Sequence, residues 1–153
     1  MAQRVGIGYD SHRLEAGERL VIGGVEIEHE KGLAGHSDAD VLTHAVIDAL
    51  LGAAGLGDIG ELFPPGEDQW KDSDSLDLLR IVVGKLPGPA VNVDATLVCE
   101  EPKLGPYKAE MQQKLSDVLS APVNVKATTN EGMGWIGRGE GIACIAVAQV
   151  EDD

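Results

Sequence analysis

Aromatic rings are scarce in this sequence: one Phe, two Tyr and two Trp make up 3% of 153 residues. Ala, Val, Leu and Ile must therefore fill the core. Cysteine is almost missing, with only Cys99 and Cys144, far apart and each in an apolar run. They make no disulfide framework and read as buried thiols in a reducing compartment. No apolar run approaches the ~18 residues of a membrane span. Met1-Ala2-Gln3-Arg4-Val5 opens no signal-type apolar region. Positive charge is short: 12 Lys and Arg stand against 26 Asp and Glu, a net charge of −14. Phosphate backbones and anionic lipids would be repelled, which argues against nucleic-acid and membrane partners. A phosphorylated small molecule held in a local pocket with a metal is still compatible with that charge. The expectation is a soluble cytoplasmic protein. At ~150 residues per domain, 1–153 reads as one domain.

Glycine is abundant, 20 of 153 residues, about twice the usual ~7%. Glycines punctuate the elements. Arg4 to Tyr9 alternates as a strand and runs into Asp10-Ser11-His12. Leu20–Ile22 and Val25–Ile27 flank Gly23-Gly24 and read as a β-hairpin. Residues 28–35 read as a loop. Ser37 reads as the N-cap of a helix, with an acid at Asp40. Val41, Leu42, Ala45, Val46, Ala49, Leu50 and Ala53 follow at helical spacing until Gly55 and Gly57. Residues 60–74 form a polar loop long enough to act as a lid. A second helix is expected over 75–85 and a strand over 91–99. A third helix is expected over 106–119, and strands over 123–127 and 141–150. A loop is expected over 128–139, and Glu151-Asp152-Asp153 as a solvated end. This order of elements predicts an α/β (α+β) domain.

All four histidines lie between positions 12 and 44. In extended backbone, Asp10 and His12 point the same way and reach one ion. His44 on the helix would complete an Asp-His-His set with an open position, a pattern suited to zinc, with manganese or iron as alternatives. The competing reading is a histidine that merely hydrogen-bonds Asp40 or Asp48. His36-Ser37 precedes the helix, where free N–H groups favour an anion; ordinary capping by Ser37 explains the same residues. A phosphate there would lie roughly 10–12 Å from the metal along the axis. Asp58 could bind a sugar-like hydroxyl or be a plain loop acid. Thr128, Thr129 and Glu131 leave a strand with a donor set suited to phosphate and a hard cation such as Mg²⁺, or form a solvated strand end. Gly137-Arg138-Gly139-Glu140-Gly141 lacks the following helix of a dinucleotide fingerprint. There Arg138 either pairs with Glu140 or meets an anion.

Several ordered segments together resemble the 2-C-methyl-D-erythritol 2,4-cyclodiphosphate synthases of non-mevalonate isoprenoid biosynthesis. They are Gly6-Ile7-Gly8-Tyr9-Asp10-Ser11-His12-Arg13, Gly35-His36-Ser37-Asp38-Ala39-Asp40-Val41 with His44, Leu56-Gly57-Asp58-Ile59-Gly60 with Phe63-Pro64, Asn124-Val125-Lys126-Ala127-Thr128-Thr129, and Gly137-Arg138-Gly139-Glu140-Gly141-Ile142-Ala143. The resemblance implies a homotrimer whose mixed sheets line a threefold axis, with helices on the outer face and active sites between subunits. It implies a reaction in which the 2-phosphate of 4-diphosphocytidyl-2-C-methyl-D-erythritol 2-phosphate attacks its own β-phosphorus and expels CMP. Asp10, His12 and His44 would then hold Zn²⁺ or Mn²⁺, and Glu131 would hold Mg²⁺ or Mn²⁺ at the diphosphate. His36 and Thr129 would act on the phosphates, and Ser37 would donate beside them. Asp58, Gly60 and Phe63 would contact the methylerythritol side. Cys99, Lys103, Leu104, Ala127, Thr128 and Thr129 would contact the cytidine. Trp135 and Arg138 would sit by a central cavity that takes an isoprenoid diphosphate.

The chain departs from the family's pattern at Pro65-Gly66-Glu67, where Asp-Thr-Asp is usual, and at Asn130 and Ile145, where Thr and Glu are frequent. The connection over 84–90 is also shorter than usual. Two other readings use the same residues: a metal-dependent phosphohydrolase, and a trimeric module that only binds an isoprenoid diphosphate.

Overall fold

A computed structural model describes residues 2–70 and 73–152. Lys71 and Asp72, inside the expected 60–74 loop, and Asp153, at the expected solvated end, lie outside the described residues. The strands are β1 (Ala2–Ala16), β2 (Leu20–Ile22), β3 (Val25–Ile27), β4 (Lys31–Leu33), β5 (Ala90–Val98), β6 (Val123–Thr128) and β7 (Gly141–Asp152). The helices are α1 (Val41–Ala54), α2 (Ile59–Leu62), α3 (Ser75–Val83), α4 (Lys108–Leu119) and α5 (Gly134–Gly137). Five strands form a mixed sheet in the order β4-β1-β7-β5-β6. β5 and β6 are parallel, joined through α4; the other neighbours are antiparallel. β2 and β3 form the separate hairpin that Gly23-Gly24 predicts.

α1 lies across β1 and β7, with α3 on its other side. Ten of its 14 residues are buried, as expected for a helix enclosed on most of its circumference. Its closeness to the sheet has a local cause. A Cβ at Gly6 would overlap the carbonyl of Ala49, and one at Gly8 the carbonyl of Ala45. Small residues on both elements let the two backbones nearly touch.

Several boundaries differ from the sequence reading. α1 starts at Val41 with Asp40, not Ser37, as its N-cap. The Asp40 carboxylate is fully buried and accepts from Thr43 N at 3.0 Å, Thr43 Oγ1 at 2.8 Å, and Gly23 N and Gly24 N at 2.8 Å each. It therefore ties the hairpin to the helix and outcompetes the serine three residues earlier. Burial, with Asp38 nearby, pushes its pKa above the usual carboxylate range. β1 continues past His12 to pair Leu14 with Leu33 of β4, inside the expected 28–35 loop. The 60–74 segment contains α2 and a 3₁₀ turn, and the 128–139 segment contains α5. Glu151 and Asp152 belong to β7, where Asp152 pairs with Arg4 at 2.5 Å.

Candidate metal centre and substrate clefts

β1 and α1 bring Asp10, His12 and His44 together. The Oδ2 atom of Asp10 is 2.7 Å from His12 Nε2 and 3.2 Å from His44 Nδ1. The two ring nitrogens are 3.4 Å apart, and the rings meet edge to face. His12 Nδ1 faces the carbonyl of Ala34 at 3.1 Å. A carbonyl only accepts, so Nδ1 carries a proton and Nε2 is the ring nitrogen turned toward Asp10. Asp10 Oδ2 is buried, yet makes no hydrogen bond of acceptable geometry. Three donor atoms thus converge on one point around an unsatisfied oxygen. Among the described residues, Asp10, His12 and His44 form the one group of this kind whose ligand atoms lie within 4.8 Å of one another. This N₂O set fits a divalent cation.

Burial alone would raise the pKa of Asp10, but contacts with the two imidazoles outweigh it and hold the carboxyl below its usual range. Burial likewise opposes the charged form of His44, while contact with Asp10 prevails and raises its pKa. The alternative partners for His44 are otherwise engaged. Asp40 holds the hairpin, and Asp48 Oδ1 accepts from Ile59 N at 2.8 Å. His44 Nε2 instead meets Ser37 Oγ at 3.1 Å and Ser75 Oγ at 2.8 Å. Ser37 and His44 are therefore adjacent, because Ser37 sits in the turn before α1 and not at its cap. In the first turn of α1 the Thr43 amide donates to the Asp40 carboxylate and the His44 amide to the Asp40 carbonyl.

A cleft of about 230 Å³ opens beside the centre, lined by His12, His36, Ser37, His44, Ile59, Gly60, Phe63, Pro65 and Leu78. His36 Nε2 donates to the Glu67 carbonyl at 3.0 Å and ties the 63–67 segment to the rim. Asp58 is exposed and caps α2 by accepting from Glu61 N at 2.9 Å. A second cleft, about 280 Å³, unites Cys99, Lys103, Leu104, Ala127, Thr128 and Thr129. Cys99 is buried and its thiol donates to the carbonyls of Glu101 and Pro102. Burial pushes its pKa up to about 11, and burial also raises that of Cys144.

The structure does not bring Glu131 to the three-residue group. Its backbone turns at φ 56°, with its N–H donating to Thr129 Oγ1 at 3.2 Å. Trp135 lines a third hollow with Ser11, His12, Arg13 and Glu140. Arg138 pairs with Glu140 at 2.5 Å. Sequence reasoning missed Asp38 and Ser75, which stand behind His44. Only the helix start at Ser75 was visible, because Asp38 bonds it across 37 residues.

A family model described as the YgbB family matches residues 3–151. Among similar curated proteins, a 2-C-methyl-D-erythritol 2,4-cyclodiphosphate synthase of Symbiobacterium thermophilum is 56% identical over 152 residues, covering 95% of this chain and 97% of the relative. A solved structure of the bifunctional IspDF from Campylobacter jejuni superposes with a TM-score of 0.93 at 39% identity over 99% of this chain, which spans 43% of that larger protein. IspF of Plasmodium falciparum, solved as a CDP complex, gives 0.84 at 30% identity over 99% and 98% of the two chains. The match is nearly full length, and the mixed α+β fold is shared. The chain belongs to the YgbB family.

Proposed function

We propose that this protein is a 2-C-methyl-D-erythritol 2,4-cyclodiphosphate synthase, a phosphorus–oxygen lyase. The observation that carries this reading is the unsatisfied Asp10 Oδ2 between two imidazoles at the mouth of a cleft, in a chain 56% identical to a synthase of that name. The 2-phosphate of 4-diphosphocytidyl-2-C-methyl-D-erythritol 2-phosphate attacks its β-phosphorus. A new P–O bond closes the ring, the bond to the bridging oxygen breaks, and CMP leaves with that oxygen. The substrate supplies its own nucleophile, so the protein contributes alignment and charge neutralisation.

Asp10, His12 and His44 would hold a zinc-type ion, which when bound supplies Lewis-acid polarisation of a phosphoryl oxygen. His36 and Ser37 donate at the phosphates from the rim. Phe63 and the Gly60 backbone, with the Asp58 carboxylate beside them, shape the polyol side and exclude water. Lys103, Leu104, Cys99 and the Ala127-Thr128-Thr129 strand end take the cytidine. Thr129 steadies the diphosphate, and Glu131 would hold the magnesium-type ion.

The two clefts share no lining residue within one chain, and in this reading a second copy brings its cytidine-side cleft to the metal-side cleft of the first. The unpartnered sheet face of Val5, Ile7, Tyr9, Ile145 and Val147 supports a homotrimer packed around that face, each copy's residues 1–153 folding as one domain. Trp135 and Arg138 then lie near the axis, where an isoprenoid diphosphate must compete with Glu140 for the guanidinium. The chemistry suits a cytoplasmic enzyme, and among the described residues no helix is long and apolar enough to cross a membrane.

Phosphorus NMR of the purified protein with the cytidyl substrate, with and without chelator, tests the reading. Cyclic diphosphate and CMP formed only in the presence of metal are expected. A linear product identifies a phosphohydrolase instead. Absence of product with metal present leaves a binding module.

A further inference from the structure

Behind His44 runs a chain of polar groups outside the lining of the adjoining cleft. Ser75 is fully buried at the first turn of α3. Its backbone N–H donates to Asp38 Oδ2 at 2.9 Å, and its hydroxyl makes a short hydrogen bond to Asp38 Oδ1. The same hydroxyl oxygen stands 2.8 Å from His44 Nε2. Asp38 is held in turn, because its Oδ1 accepts from Asp40 N at 3.1 Å and its own N–H donates to the Ser73 carbonyl.

The direction of these bonds follows from donor and acceptor counting. An ionised carboxylate only accepts, so the single Ser75 hydroxyl proton goes to Asp38. The Ser75 oxygen can then only accept from His44. His44 Nε2 then donates, with Ser75 Oγ at 2.8 Å and Ser37 Oγ at 3.1 Å as the two oxygens facing it, and in the neutral ring Nδ1 carries the lone pair that faces Asp10. The same logic fixes His12 from the other side through the Ala34 carbonyl.

We infer that Asp38 and Ser75 are positioning residues that set the tautomer and ring orientation of His44, so that Nδ1 is presented as a metal-ligand atom before any ion arrives. The inference rests on the proposed reading of Asp10, His12 and His44 as a metal centre. It adds that the entry to α3 is tied through Asp38 to one of the ligands. Ser73 and Ser75, at the start of α3, both bond Asp38. Carboxylates and hydroxyls behind ligating histidines typically change metal affinity 10–100-fold when removed.

The Asp38→Asn substitution gives the sharpest test. Its amide can donate to Ser75 Oγ, which frees the hydroxyl proton to point at His44 Nε2 and favours the opposite tautomer. Long-range proton–nitrogen NMR of the metal-free protein, at a pH where His44 is neutral, reads this directly. Wild type is expected to show protonated Nε2. Asp38→Asn is expected to shift His44 toward protonated Nδ1, and Ser75→Ala to give a mixture. Zinc affinity, measured by competition with a chromophoric chelator, should fall roughly 10–100-fold in both variants.

A wild-type His44 protonated on Nδ1 overturns the inference. So do two folded variants with unchanged tautomer and affinity. If Ser75→Ala does not fold, the wild-type tautomer and Asp38→Asn still decide the matter. These readouts use no substrate. Failure of the synthase reaction with normal tautomers would sink the proposed function and leave this inference standing. Synthesis of cyclic diphosphate by a protein with the wrong tautomer would do the reverse.

Discussion

The β1–β7 pair presents two faces with opposite constructions. Toward α1, β1 offers Gly6 and Gly8, and the helix backbone sits where their side chains would be. Away from α1, the same two strands expose Val5, Ile7, Tyr9, Ile145 and Val147, between 41% and 70% accessible. Residues along a strand alternate in direction, so one stretch of β1 serves both faces. The inner face is finished within the chain, and its close packing carries His44 to Asp10 and His12. The outer face leaves apolar surface in water, at a cost of ~25 cal/mol per Å². The contrast separates what one chain completes alone, the candidate metal site, from the apolar surface on which the proposed trimer would pack.

The largest effect should come from the inner face. His44→Ala removes one of three ligands and should cost about 10³-fold in turnover, because the ion supplies several kcal/mol of charge stabilisation. Product analysis by phosphorus NMR measures it, and near-normal turnover would break the link between this face and the chemistry. Gly8→Ala should destabilise by more than ~3 kcal/mol in urea unfolding, since the new methyl meets the Ala45 carbonyl and neither backbone can retreat cheaply. On the outer face, Ile7→Lys should leave the chain folded and abolish the proposed trimer in sedimentation experiments. Loss of fold instead would mean that the two faces are not separable.

A pH series sharpens the same contrast through the metal centre. His44 has a pKa raised above 6.5, so its contribution to stability is complete at lower pH and lost as pH climbs through that raised value. Asp10 has a pKa lowered below 3.8, so its contribution is complete above 3.8 and lost as pH falls through that lowered value. The metal-free protein should therefore gain most from this pair between the two values. Ligation needs neutral imidazoles, so zinc affinity should rise with pH across the upper edge of that window. Urea midpoints and zinc titrations from about pH 3 to pH 9 check both signs. The smallest effect is expected at Arg138. Its pair with Glu140 is 63% and 44% exposed, so Arg138→Ala should change stability by less than ~0.5 kcal/mol in the same urea assay.

Much of this was legible in the sequence where a period carries the information. The apolar spacing from Val41 to Ala53 gave α1, and strand alternation put Asp10 and His12 on one side. Resemblance to known proteins supplied the grouping of Cys99, Lys103, Leu104 and Thr128, which lies outside any period; these residues line the second cleft. Four things escaped. The N-cap was misassigned because Ser37 looks as good locally as Asp40; the amides of Gly23 and Gly24 decide, and they are 17 and 16 residues away. β4 is three residues long and shows no alternation, so only its pairing with Leu14 to Ala16 defines it. Asp38 and Ser75 carried no sign of His44, because their geometry exists only once α3 packs against α1. Acidic residues at a chain end read as solvated, yet Asp152 meets Arg4 because β7 runs alongside β1 to its first described residue.

The two buried thiols have a consequence for oxidation chemistry. With its pKa near 11, Cys99 is ionised in only about one molecule in ten thousand at neutral pH, and Cys144 is shifted in the same direction. Peroxide and alkylating reagents attack the thiolate, so both sulfurs should be slow targets. Cys144 is the cross-strand neighbour of Asp10, yet it withholds the soft anionic sulfur that would otherwise draw copper or cadmium toward the centre. The protein can thus keep a nitrogen–oxygen ligand set without a reductant to guard it. A cysteine introduced on the surface would be the only fast-reacting handle for a fluorescent or spin label.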